Sequence, residues 1–267
     1  MRRRAPLSVL SLLLLLSATA RAPLAATGAR AGSLILSGAA GGSRESFGAG
    51  VLERFVELAG GPDAEFVYIP TASSGIRLDD GFIYEPPDTD TPAPNTEEFE
   101  RKLATMFGVR RIHILHTRSR MTANSESFVA TLRRAGGVWI IGGNSAGAII
   151  QGSFIVRGRP DKPVLMARGH ERGFGFLKKV VVNPHLTTAK REDELINVVD
   201  AHPELLGIGI DEKGAILVRG DEFQVLGESK VAVYDDKRHG GKWYYWLSPG
   251  AVFSLRTRTV APARGAP

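Results

Sequence analysis

The most restrictive stretch of this 267-residue chain runs from Gly137 to Ala148, GVWIIGGNSAGA. Gly137–Ile141 is a short apolar run that enters a glycine-rich turn without a break, and Ile149-Ile150 opens an apolar helical pattern behind it. Gly143-Asn144-Ser145-Ala146-Gly147 therefore satisfies G-x-S-x-G in the setting that motif needs, strand, sharp turn, helix. The turn demands backbone geometry that only small neighbours tolerate, and Gly143 and Gly147 supply the room. Ser145 would then project its hydroxyl above a sheet. The following helix directs N–H groups at the same point, and the amides of Ala146 and Gly143 are the expected oxyanion donors. The same residues also admit a plainer reading, a glycine-rich βα turn that binds phosphate or merely reverses the chain.

The surrounding pattern fits such a turn. Ser33–Ser37 reads as a buried strand ending in Gly38-Ala39-Ala40-Gly41-Gly42, and Phe47–Leu58 carries apolar residues at helical spacing up to Gly60-Gly61. Glu65–Ile69 is a second strand. The Asp-, Pro- and Thr-rich segment Asp79–Glu97 lacks periodicity and is expected to be a surface loop or flap. Helix Thr96–Phe107, strand Arg111–Leu115, helix Ser125–Arg134 and strand Gly137–Ile141 follow. Nearly continuous apolar strands alternating with helices predict a parallel sheet covered on both faces. After about Gly207 the strands become short and turn-separated, at Ala215–Val218, Glu222–Leu226, Lys230–Tyr234 and Trp243–Leu247. These predict a C-terminal antiparallel β meander over about 207–260.

The N-terminus reads as an export signal over residues 1–22, outside a single α/β domain at 33–260. Arg2, Arg3 and Arg4 precede the apolar stretch Leu7–Leu16, and Ala18-Thr19-Ala20 and Ala20-Arg21-Ala22 are small-x-small cleavage sites. The apolar run is shorter than the roughly 20 residues a spanning helix needs, so no stable membrane insertion is expected and the mature protein should be secreted or periplasmic. Loss of Arg2, Arg3, Arg4 and Arg21 leaves 30 basic against 28 acidic residues, reducing the net charge from +6 to +2. With no Lys/Arg run interleaved with aromatics, nucleic acid is disfavoured as a partner. The chain has no cysteine, which excludes disulfides, a thiol nucleophile and a Cys-ligated metal. A homodimer is left open.

A serine nucleophile needs a base and an orienting acid. Of the six histidines, His185 follows Val180-Val181-Val182-Asn183-Pro184 and so stands at a strand end, where catalytic side chains collect in open α/β sheets. His113 lies inside a strand and His202 at a helix ending, and both read as structural. Asp161 lies between serine and histidine and is the first candidate for the acid; Glu171, beside His170, is its competitor.

With these residues in hand, the chain resembles the cyanophycinase and peptidase S51 family, serine peptidases on a scaffold like that of the class I glutamine amidotransferases. The resemblance is carried by Ile69-Pro70-Thr71-Ala72-Ser73, the Gly143–Ala148 turn, Gly173-Phe174-Gly175-Phe176-Leu177, the strand end at His185, and Gly207-Ile208-Gly209-Ile210-Asp211-Glu212. It implies a three-layer α/β/α, flavodoxin-like fold with a mostly parallel sheet. It also implies hydrolysis of peptides at aspartyl-type bonds, with no cofactor or metal. Ser145 matches the family nucleophile, His185 its base, and Asp161 the expected place of its acid. An acidic side chain beside the cleaved bond would need cationic partners, for which Arg157, Arg159, Arg168, Arg172 and Arg191 are candidates.

The chain departs from the family in one place. Relatives carry a Gly-Gly-x-Gln turn and a helix between the strand equivalent to Gly137–Trp139 and the strand bearing the serine. Here one βα unit is missing, and Gly38–Gly42 is a candidate substitute source of oxyanion donors. Two other functions stay in contention: an α/β-hydrolase-type esterase, which shares the elbow and the order Ser, Asp, His, and a catalytically degraded binding protein.

Overall fold

The computed structural model describes residues 26–28, 32–39, 42–140, 146–156 and 169–262. The expected signal segment, Ser145, Gly143 and Asp161 lie outside the described residues, as do Arg157, Arg159 and Arg168.

In chain order the first half comprises β1 (Leu34–Ser37), α1 (Val51–Leu58), β2 (Phe66–Ile69), β3 (Ile76–Arg77), β4 (Ile83–Tyr84), α2 (Thr96–Phe107), β5 (Ile112–Ile114), α3 (Arg120–Ala123), α4 (Glu126–Arg134) and β6 (Gly137–Ile140). The second half comprises α5 (Ala146–Gln151), β7 (Gly152–Phe154), β8 (Leu177–Pro184), α6 (Glu194–Ala201), β9 (Leu206–Ile210), β10 (Gly214–Arg219), β11 (Glu222–Gly227), β12 (Val231–Tyr234), β13 (Tyr245–Leu247), β14 (Val252–Ser254) and β15 (Thr259–Val260). Helix boundaries follow local chemistry. Ser125 caps α4 by accepting from the Phe128 amide, and α2 ends at Gly108, whose left-handed φ of 71° lets the chain leave the helix. No helix among the described residues is long and apolar enough to cross a membrane.

The fold is mixed α/β with parallel strands, which among the described residues are divided between separate sheets. Strands β5, β2 and β6 form a parallel sheet in that spatial order. Strands β7, β8 and β9 are parallel in a second sheet, continued by antiparallel β12 and β13. The division falls between β6 and α5. The N-terminal strand also differs from expectation. Its apolar residues suit any buried strand, and β1 pairs antiparallel with β10, Leu34 opposite Val218 and Ser37 opposite Ala215.

The late strands are antiparallel as expected, yet they are shared between sheets instead of forming one meander. Strands β10, β11, β14 and β15 continue from β1, whereas β12 and β13 extend from β9. All four residues of β12 are buried, so it requires cover on both faces, and the edge of β9 provides a neighbour of that kind. A hairpin partner beside β11 is not the only way to satisfy its backbone.

Of three apolar clusters among the described residues, two anchor the sheets. One joins the sheet of β1, β10 and β11 to β8, β9 and β12 through residues such as Leu36, Val182, Ile208, Ile216, Phe223 and Val231. The other surrounds β2 and β6, where the Trp139 ring meets Phe47, Phe55 and Phe107 edge-on at centroid distances of 5.2, 5.1 and 5.1 Å. Edge-to-face aromatic pairs of this kind add roughly 0.5–1.5 kcal/mol each beyond area burial. They hold β6 in place with Trp139 facing α1 and α2.

The expected flap, Asp79–Glu97, contains β4, which pairs antiparallel with β3 just before the flap, and it is tied to the sheet. His116, just beyond β5, contacts Thr71 Oγ1 through Nδ1 at 3.0 Å and the Pro87 carbonyl through Nε2 at 2.7 Å. Asp90 accepts from Thr117 and Thr122 at 2.6 and 2.8 Å. Its carboxyl is held below the usual range, first by the Thr117 hydrogen bond and then by that of Thr122.

Candidate active site

Strands β8 and β9 run parallel in a register that sets Pro184 opposite Ile210. The next residues of each, His185 on one side and Asp211-Glu212 on the other, leave the same sheet edge as neighbours. This is the carboxyl edge, where open α/β sheets form their crevices. His185 Nδ1 lies 3.3 Å from Glu212 Oε1, with both side chains partly shielded. His185 adopts φ 55°, in the left-handed region that non-glycine residues rarely occupy. That turn takes the chain off β8 and into 186–190, closed by the Ala189 N–H donating to the His185 carbonyl at 3.0 Å.

Asp211 holds that turn. Its carboxylate is only 7% exposed and accepts from the amides of Thr187 (3.2 Å), Thr188 (3.4 Å) and Glu212 (3.0 Å). It also accepts from the hydroxyls of Thr187 and, at 3.1 Å, Thr188. Burial pushes its pKa upward, but the Thr187 hydroxyl, the Glu212 amide and Thr188 outweigh this and hold it below the ordinary carboxylate value. Asp211 stays ionised and positions the segment after His185. The Gly38 backbone passes so close that a Cβ there would stand 2.2 Å from the Asp211 carbonyl oxygen, so only glycine fits.

The electrostatics favour a neutral imidazole. Burial lowers the His185 pKa, the Glu212 carboxylate raises it, and the Arg191 guanidinium lowers it again; the net position is below the usual 6.5. Arg191 also donates to the Pro184 carbonyl at 3.3 Å, and Asn183 donates to Glu194 at 2.9 Å, which ties the start of α6 to the end of β8. A neutral histidine facing a carboxylate through Nδ1 can accept a proton on its other ring nitrogen. Such a pair has the chemistry of a general base.

The helix that follows Ser145 is α5, and it packs against β8 and β1. Just past α5, at the start of β7, a Cβ at Gly152 would lie 2.6 Å from the Val180 carbonyl oxygen, so the close approach of β7 to β8 depends on glycine there. The strand bearing His185 and the helix that starts at Ala146 are thus direct neighbours. Ala146 itself is exposed at the first turn of α5.

The remaining expectations divide. Glu171, the competitor for the acid, accepts from the Gly169 amide at 2.8 Å. The carboxylate facing His185 is Glu212, which sequence reasoning passed over although it stands in the quoted Gly207–Glu212 segment; strand register was the missing information. Gly38 and Ala39 do not offer amides for an oxyanion, because Gly38 N–H donates to the Gly214 carbonyl at 3.1 Å and Ala39 N–H to Ser37 Oγ at 3.2 Å. His113 is exposed on β5, 4.0 Å from Glu100, and His202 caps the end of α6.

The family model for Peptidase family S51 matches residues 93–226, which include α5, β8, β9 and both His185 and Glu212. The chain belongs to peptidase family S51. Its similarity to named members is consistent with this. It is 28% identical over 261 residues to the cyanophycinase of Synechococcus elongatus, covering 84% of this chain and 76% of the relative. It is 33% identical over 150 residues to that of Trichormus variabilis, covering 49% of this chain and 50% of the relative. A crystal structure of a peptidase from an acI-B1 Actinobacterium matches with a TM-score of 0.55 at 23% identity, covering 84% of this chain and 96% of that one, a likeness of fold. The S51 chain described here is accordingly a peptidase by family, and a peptide is its expected substrate.

Proposed function

We propose that this S51 chain is an exported serine peptidase that hydrolyses aspartyl-type peptide bonds through an acyl-enzyme on Ser145. The observation that carries the reading is the partly shielded His185–Glu212 pair at 3.3 Å, beside the helix that follows Ser145. Ser145 Oγ attacks the scissile carbonyl while His185 Nε2 takes its proton. Glu212 orients the ring through Nδ1 and stabilises the imidazolium that forms. The amides of Ala146 and Gly143 receive the oxyanion. Collapse of the tetrahedral intermediate breaks the C–N bond, and His185 returns the proton to the leaving amine. Water then repeats the sequence on the ester and frees Ser145.

In this reading Glu212 takes the role first assigned to Asp161. Arg191 and Arg172 are the candidate cations for an acidic side chain of the substrate, and the substrate class follows the cyanophycinase relatives. Export follows from the N-terminal Arg2–Ala22 pattern. Membership in a peptidase family weighs against the esterase.

Labelling of the purified mature chain by a fluorophosphonate, with Ser145→Ala as the control, tests the nucleophile. Stoichiometric labelling that Ser145→Ala abolishes, with β-aspartyl peptides cleaved in preference to p-nitrophenyl esters, is the expected outcome. Ester turnover without peptide cleavage would identify the esterase. A folded chain that takes no label would identify the degraded binding protein.

A further inference from the structure

Strand β6 has one edge with no strand partner among the described residues. Gly137 N–H points to β2, donating to the Glu65 carbonyl at 3.3 Å, so in a parallel ladder Trp139 also faces β2. Val138 and Ile140 then direct their N–H and C=O groups to the opposite edge. Their side chains are half-buried, on the face away from the Trp139 cluster.

That edge borders a cavity of about 560 Å³. Its walls include Leu34 and Ile35 of β1, Val138 and Ile140 of β6, and Phe176. Phe176 is 47% exposed and stands edge-on to Phe174, itself 58% exposed, at a centroid distance of 5.9 Å. Gln151, the last residue of α5, also lines the cavity; it is 3% exposed and its Oε1 has no hydrogen-bond partner. A buried amide oxygen left without a donor is unfavourable, because it has given up its hydrogen bond to water. It calls for a ligand that brings an N–H or O–H into an otherwise apolar space.

An extended peptide meets all three requirements. Its backbone completes the edge of β6, its N–H groups supply the donor, and alternate side chains fill the apolar wall. A second copy of this chain fits less well. Four residues of β6 span only about 13 Å, so pairing along this strand alone buries far less than the roughly 800 Å² per partner of a stable dimer. We propose that this groove is a subsite for an extended substrate segment, which adds as a strand to the outer edge of β6. It seats an apolar side chain against Val138, Ile140 and Phe176 and donates an N–H to Gln151. The inference rests on the peptidase reading, which makes a peptide the substrate of this chain.

Fluorescence anisotropy with labelled heptapeptides and the full chain tests this directly. The Ser145→Ala variant is used, so that binding is read without turnover. The expected result is saturable binding of a peptide with a central Leu-Val-Phe. Binding should weaken tenfold or more when these residues become Ser, when alternate backbone nitrogens are methylated, or when Phe176, a surface residue whose loss spares the fold, becomes Ser. Gln151→Leu should weaken it less, in a chain shown folded by circular dichroism. Equal binding of the Leu-Val-Phe and Ser peptides, indifference to N-methylation, or no binding at all would overturn the subsite. So would a dimer in sedimentation velocity that the peptide does not dissociate. Peptide hydrolysis by the wild-type chain, measured alongside, separates the two readings. Hydrolysis without groove dependence sinks only the subsite, and groove binding without hydrolysis or fluorophosphonate labelling sinks only the catalytic assignment.

Discussion

His185 Nδ1 and Glu212 Oε1 lie 3.3 Å apart because β8 and β9 end in register, Pro184 beside Ile210. The residues are distant in sequence and meet only through that pairing. The turn that aims the imidazole, at φ 55°, is held by the adjacent Asp211 carboxylate. Two consecutive acidic residues thus have different tasks. Asp211 faces inward and fixes the backbone, while Glu212 faces the histidine.

The acid of the site is testable by comparison. Glu212→Gln should lower kcat/KM by about 10²–10⁴, the range expected when the group orienting a catalytic histidine is neutralised. Asp161→Asn and Glu171→Gln should remain within a few-fold of wild type. Steady-state kinetics on one aspartyl peptide decides it, and a large loss in Asp161→Asn beside an active Glu212→Gln would return the role to Asp161.

The acid limb of the pH–rate profile should lie below pH 6.5, because burial depresses the His185 pKa and only the neutral ring accepts the serine proton. Activity is then retained above that pKa and lost as pH falls through it. Glu212 raises the pKa and Arg191 lowers it. Arg191→Gln should therefore move the limb toward neutrality, and in Glu212→Gln the residual activity should show it displaced to more acidic pH. Profiles of kcat/KM in the three proteins check both signs, and a limb that does not move in either variant would remove His185 from the titration.

Asp211→Ala should destabilise the fold by about 1–3 kcal/mol, the cost of leaving buried donors without an acceptor. The affected groups are the amides of Thr187, Thr188 and Glu212 and two hydroxyls. Part of this contribution is pH-dependent. The folded pKa of Asp211 is depressed, so its stabilisation is present above the ordinary carboxylate pKa and lost as pH falls through the folded value. Urea denaturation at pH 7 and pH 3 reads both effects, and a stability difference from wild type that is the same at both would contradict the ionised assignment.

Much of this protein is local and therefore legible in residue order. Helix Thr96–Phe107 is found where its apolar spacing and Gly108 set it, and strand Glu65–Ile69 needs only one residue trimmed. The strand end at His185 follows from Val180-Val181-Val182-Asn183-Pro184, because an apolar run closed by proline must stop there. Such features depend on neighbours within a few positions. Partner choice does not. The apolar pattern of β1 suits either direction of pairing, and tertiary packing made it antiparallel to β10; short apolar β12 fitted a meander as well as the edge of β9. Glu212 reaches His185 only through the register of two strands separated by α6, and β6 lacks a partner on its outer edge among the described residues because their parallel strands fall into two sheets. Side-chain periodicity says which residues are buried, whereas long-range backbone hydrogen bonds, which carry no side-chain signature, decide what they are buried against.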